Sequence, residues 1–193
     1  KNLVSFDLLP TRAVQHVFLT IRGNYHNIFG LLEHPNKICV GDAARGRIPD
    51  EESRWFITEI MVREHFQGIL ETASFSLIRA LAAHYPNASM HYLSSPPPCG
   101  DENHIRTFPG VFRPRLSQGV SPMDLRRKLY DIQTDLFRQA CTAIGVDFID
   151  TPDNAVDAQG AMKREFWNRD PTHGNAAYGR LVLNQVLSKS GVA

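Results

Sequence analysis

Three short runs of β-branched and aromatic residues, at 16–21, 89–93 and 146–149, are each followed by a polar, turn-forming segment, and the chain between them carries helical periodicity. That alternation constrains the fold more than any other feature. A run such as His16-Val17-Phe18-Leu19-Thr20-Ile21 is short, largely apolar and rich in branched and aromatic side chains, which is how a buried strand reads. Strands joined by helix-length connections pair in parallel, because a parallel pair needs a crossover of a dozen residues or more. The order strand, helix, strand, helix, strand, helix predicts an α/β fold, a three-layer α/β/α sandwich around a central parallel sheet. At 193 residues the chain is long enough to bury a core of its own, and one domain over 1–193 is expected.

The connections can be read in turn. Residues 3–9 are short and apolar, undecided between helix and loop, and Pro10 ends them. Residues 38–43 read as a strand or loop with a turn. Pro49-Asp50-Glu51-Glu52 reads as a helix start with acids in its first turn, the helix running to about His65. Beyond Gly68, Leu70, Ala73, Leu77, Ile78 and Leu81 recur at helical spacing, giving two packed helices or one with a break. Residues 100–121 show no periodicity and are expected as a long loop of the kind that often serves as a lid. Ser121-Pro122 places serine at an N-cap and proline at the first helical position. Leu125, Leu129, Ile132, Leu136 and Ala140 form that helix's buried stripe, and Gly145 ends it. A last helix over 176–187 buries Leu181 and Val182.

Composition narrows the classes of function. With 42% hydrophobic and 21% charged residues the chain belongs with soluble globular proteins. Basic and acidic residues number 21 and 20, so no basic field invites nucleic acid, and Arg126-Arg127-Lys128 is expected as a solvated helix face. Cys39, Cys99 and Cys141 are odd in number and far apart, with no C-x-x-C pair. That argues against a disulfide framework or structural zinc and for a reducing, cytoplasmic setting. No apolar run approaches the ~20 residues that cross a bilayer, and the first residues lack a secretory pattern. Neither a cofactor nor a metal is expected.

Chemistry concentrates where predicted strands end, the side of an open α/β sheet on which ligands bind. Gly23 and Asn24 follow the first strand, with His26 and Asn27 beside them. Ser94-Ser95-Pro96-Pro97-Pro98 follows the second, its prolines holding an extended rim that leads to His104. Asp170-Pro171-Thr172-His173 precedes the last helix and sets a carboxylate three residues from an imidazole. Such a pair can hold a general base with its tautomer fixed from behind. Plain structural roles compete: asparagines satisfying a turn, and a polar turn capping a helix. Gly41-Asp42-Ala43 resembles a nucleophile turn with alanine in place of serine, and alanine cannot attack.

Taken together, these residues resemble the SGNH (GDSL-like) hydrolase superfamily. The resemblance rests on the Gly23-Asn24 turn after a strand, Asp170-x-x-His173 before the final helix, the Ser-Ser-Pro-Pro-Pro stretch, and the ending His173-Gly-Asn-x-x-Tyr-Gly. It implies a flavodoxin-like SGNH fold, with His173 as general base, Asp170 orienting it, and Asn24 beside Gly23 as oxyanion donor. His26, Asn27, Ser95 and His104 are expected at the pocket. The family's serine lies in a Gly-Asp-Ser turn after its first strand. Only 22 residues precede Gly23, and none forms that turn; Ser5 lacks the flanking glycine. The central first strand and its serine are therefore expected from a separate N-terminal segment or another chain, a homo-oligomer included. The implied activity is a serine ester hydrolase or acyltransferase acting through an acyl-enzyme on a small-molecule or carbohydrate ester. The alternative is an inactive relative that binds a carbohydrate or a protein partner. A mixed metal set of His26, His104, Asp170 and His173 is conceivable chemically, but the spacing does not recommend it.

Overall fold

The computed structural model of the chain describes residues 13–21, 23–41 and 54–191, together with Leu9. The rest of the 3–9 run, the helix start expected at 49–52 and the Asp42-Ala43 part of the turn lie outside these residues.

The three runs that lead the sequence form one parallel sheet. Strands β1 (His16–Leu19), β4 (Ser89–Leu93) and β5 (Asp147–Ile149) pair in the order β1-β4-β5, with Phe18 opposite His91 and Leu93 opposite Ile149. Two further strands, β2 (Ile38–Gly41) and β3 (Trp55–Thr58), make a separate parallel pair. The helices are α1 (Tyr25–Gly30), α2 (Glu59–Leu70), α3 (Ser76–His84), α4 (Glu102–Thr107), α5 (Met123–Ala143) and α6 (Ala176–Ser190). A short antiparallel hairpin, β6 (Trp167–Asn168) with β7 (Asp170–Gly174), precedes α6.

Side chains alternate across a strand, so β4 serves two faces. Met90 and Tyr92 enter the main core with Val62, Phe66 and Leu70 of α2, Ile78 of α3, and Leu125, Leu129, Ile132, Leu136 and Phe137 of α5. The Tyr92 ring stacks on Phe137 at 4.6 Å between centroids, and its hydroxyl donates to the Ile21 carbonyl at 2.8 Å. His91 turns to the opposite face, where it stacks on Phe18 and meets Asp147, which Lys189 of α6 also contacts at 3.1 Å. The protein is thus a mixed α/β fold in which a parallel sheet is flanked by helices, consistent with three layers.

Several local expectations differ from the structure. The helix expected through residue 58 gives way to β3, because Trp55-Phe56-Ile57-Thr58 is a strand-forming run that pairs with β2. The helix begins after it, where the Thr58 hydroxyl accepts the Met61 N–H at 3.3 Å. Gly68 does not interrupt α2; the departure comes later, as a π-helical turn at Glu71–Phe75. Residues 100–121 are not a structureless loop. Asp101 caps α4 by accepting the His104 N–H at 2.9 Å, and a 3-10 segment spans Gly110–Gln118. Ser121 does not cap α5: Pro122 stands at that position, and no side chain caps it. Arg126 does not lie on a solvated face. It is buried, donating to the carbonyls of Ser121 and Cys99.

Candidate active site

Two polar clusters sit beyond the sheet. The first grows from the end of β1. Gly23 lies against the neighbouring strand end: a side chain there would displace the Ser95 hydroxyl from its place beside the Gly23 backbone. Ser95 Oγ donates to the Gly23 carbonyl, while the Ser95 carbonyl accepts from Tyr130 and Thr151, each at 3.2 Å. The ends of β1, β4 and β5 are therefore tied edge to edge through Gly23, Ser95 and Thr151.

Asn24 follows as the N-cap residue of α1, but its side chain does not cap. Its Oδ1 instead accepts from Asn27 Nδ2 at 2.5 Å. Asn27 Nδ2 also lies 2.9 Å from His26 Nε2. His26 and Asn27 are 1% and 2% exposed, so both stand behind the surface rather than on a pocket wall. Gln133 of α5 completes the cluster: its Oε1 accepts the His26 backbone N–H at 3.0 Å and its Nε2 donates to the Gly23 carbonyl at 2.6 Å. Burial lowers the His26 pKa to about 4, against the opposing pull of its hydrogen bonds to Gln133 and Gly23, so the ring is neutral near pH 7. Asn24 itself is half-buried, and its Nδ2 has no hydrogen-bond partner among the described residues.

The second cluster is the β7 hairpin. Asp170 Oδ1 accepts from His173 Nδ1 at 2.9 Å, from the backbone N–H groups of Thr172 and His173 at 2.8 and 2.9 Å, and from the Thr172 hydroxyl at 3.1 Å. Partial burial opposes the charge on Asp170. The Thr172 N–H, the His173 ring and the Thr172 hydroxyl outweigh it and hold the carboxyl below its usual range. The side chain of His173 is 69% exposed and that of Asp170 25%. His173 Nε2 has no hydrogen-bond partner among the described residues, so the nitrogen opposite the carboxylate is open.

The residues that hold this hairpin stand in the sequence as the ending His173-Gly-Asn-x-x-Tyr-Gly, but their contacts were not read there. Asn175 Nδ2 donates to the carbonyls of Glu165 and Trp167 at 2.8 and 3.1 Å, and its Oδ1 caps α6 through the N–H groups of Ala177 and Tyr178. An asparagine directly before a helical run was the available signal. Gly174 is required because the Tyr178 ring folds back onto it, with a ring atom 2.4 Å from where a side chain would begin. His104 sits at the hairpin, its Nε2 2.9 Å from the Asn168 carbonyl and its ring against Trp167.

The structure thus brings Gly23 to Ser95, Asn24 to Asn27 and His26, Asp170 to His173, and His104 to the hairpin. Among the described residues no hydrogen bond joins Asn24 to His173; the segment from Ser95 to His104 runs between their clusters. No group of three or more His, Cys, Asp or Glu side chains is placed to hold a metal ion among the described residues, and no described helix is long and apolar enough to cross a membrane.

No family model matches the chain, and no curated protein matches it by sequence. Among solved structures, a protein of Streptococcus pneumonia provisionally described as a platelet activating factor is similar over 86% of this chain and 87% of its own length, at 16% identity and a TM-score of 0.46.

Proposed function

We propose that this protein is an SGNH-type serine hydrolase, an esterase or acyltransferase, whose attacking serine lies outside the described residues. The observation that carries the reading is the 2.9 Å contact between Asp170 Oδ1 and His173 Nδ1, with Nε2 left open. A carboxylate on Nδ1 keeps that nitrogen protonated and makes Nε2 the basic one, the arrangement a general base needs. His173 takes the serine proton as the hydroxyl attacks the ester carbonyl, then delivers it to the departing alcohol. Asp170 stabilises the imidazolium between those events. Asn24, whose amide nitrogen has no hydrogen-bond partner among the described residues, donates to the oxyanion, a contact typically worth roughly 3–4 kcal/mol. Water or a second hydroxyl then takes the acyl group from the serine. An acylated carbohydrate is the substrate class in view.

A second reading has an observation in its favour. Among the described residues the hydroxyl in contact with the His173 ring is that of Thr172, at 3.1 Å and on Nδ1 rather than Nε2. An inactive relative that binds a carbohydrate or a protein would carry the dyad without a serine to activate. Turnover of p-nitrophenyl acetate by the protein as its gene encodes it separates the two. In an active enzyme His173→Ala lowers turnover about a hundredfold or more by removing the base. A folded His173→Ala protein with unchanged turnover would overturn the assignment of the base.

A further inference from the structure

We propose that Arg113 and Arg169 set the substrate class of this site: they bind an ester that carries a negative charge of its own, such as an ester of an acidic carbohydrate. The inference rests on the reading of Asp170 and His173 as a catalytic pair and adds to it the charge of what the pair acts on.

The surface arginines fall into two groups. Arg63, Arg79, Arg106, Arg127 and Arg138 each hold a carboxylate of the protein itself. Arg113, Arg164, Arg169 and Arg180 have no hydrogen-bond or ion-pair partner among the described residues. All four lie in the 3-10 segment at Gly110–Gln118 or between residues 164 and 180, the stretch that leads into, forms and leaves the β6–β7 hairpin.

Two of them border the catalytic pair. Arg169 is the tip of the hairpin, directly before Asp170, whose carboxylate folds the chain back by accepting the N–H groups of Thr172 and His173. Gly110 brings the 3-10 segment against the same turn: a side chain there would begin 3.8 Å from Asp170 Cβ and 3.9 Å from Pro171 Cδ. With three residues per turn, Arg113 stands one turn beyond Gly110 on the same face, and it is exposed. The acids of these segments do not cancel the two charges. Asp170 holds His173, Asp101 caps α4 and Glu102 pairs with Arg106, which leaves Glu165, at the open end of the hairpin away from its tip. The whole chain carries a formal charge of only +1, so the positive field here is local. A guanidinium presents a planar fork of donors that fits a carboxylate or sulfate, and these two forks are not used by the protein.

Pairs of esters that differ in charge test this on the protein as its gene encodes it. Mono-p-nitrophenyl adipate against p-nitrophenyl hexanoate puts the charge on the acyl side; para-acetoxybenzoate against its methyl ester puts it on the alcohol side. In at least one pair kcat/KM is expected to favour the anion roughly tenfold at low salt, and added salt is expected to shrink that preference. Arg113→Gln and Arg169→Gln are each expected to lower it roughly threefold. Arg79→Gln, which removes the same charge from α3, is expected to leave it as it is. No preference for the anion in either pair, or a preference that survives both substitutions, would overturn the proposal. If the wild-type protein turns over none of these esters, the hydrolase reading fails and binding decides the inference. Methyl glucuronide, and not methyl glucoside, is then expected to shift the Nε–H signals of Arg113 and Arg169 to saturation in an NMR titration. Absent shifts, or equal shifts with both sugars, would overturn it.

Discussion

At His26 the cost of burying an imidazole becomes a dependence of stability on pH. The ring binds its proton near pH 4 in the native protein and near the ordinary 6.5 when unfolded. Between those values the unfolded chain holds more protons, so the contribution is fully present above pH 6.5 and is lost as pH falls toward 4. At most it amounts to about 3 kcal/mol. Denaturant titrations at pH 7, 5.5 and 4 check this by comparison with His26→Gln, which has no ring to protonate. The wild type should lose more stability than the variant across that interval; parallel losses would contradict the assignment. Asp170 acts in a lower window. Its native pKa is depressed, so its contribution is present above the usual carboxylate value and is lost as pH drops through the depressed one. His26 was legible in the sequence as a polar residue at a strand end, but its burial was not. It is enclosed by Gln133 and Tyr130 of α5, more than a hundred residues away, and local spacing holds no trace of such a contact.

Elements were legible where local preference and tertiary packing agree. The strands of the three-stranded sheet and α5 were of this kind: each has a run or stripe whose apolar face is the one the core uses. Where the two diverge, the sequence misled. The acids at 50–52 resembled a helix start and drew attention from the aromatic and branched run that becomes β3. In 100–121 the prolines and glycines masked a short helix whose real signal was Asp101 followed by Glu102. The hairpin carrying Asp170 and His173 was expected as a turn. It is better fixed than that, because Asn175 binds two carbonyls of the preceding segment and caps α6 with the same side chain. Asn175→Ala removes the cap and both donors together and is expected to destabilise the protein by about 2–3 kcal/mol. Asn175→Asp keeps the cap but sets a carboxylate against two carbonyls, so it should recover only part of the loss. Equilibrium unfolding of both variants measures this. An unchanged midpoint for Asn175→Ala would show that the hairpin is held by other contacts.

Across the whole molecule the strand ends are joined to one another and to the last hairpin. Gly23, Ser95 and Thr151 tie the ends of β1, β4 and β5 into one rim, and His104 carries that rim to the Asp170 hairpin. In the proposed hydrolase an amide from near the start of the chain and an acid–imidazole pair from near its end serve one pocket, with the serine outside the described residues. The direct measurement is a crystal structure of the protein, as its gene encodes it, after reaction with a fluorophosphonate that captures an activated serine. The account predicts a serine adduct whose phosphonyl oxygen lies about 3 Å from Asn24 Nδ2, with His173 Nε2 within hydrogen-bond reach of the serine oxygen. An adduct remote from Asn24, or a protein that forms none, would contradict it.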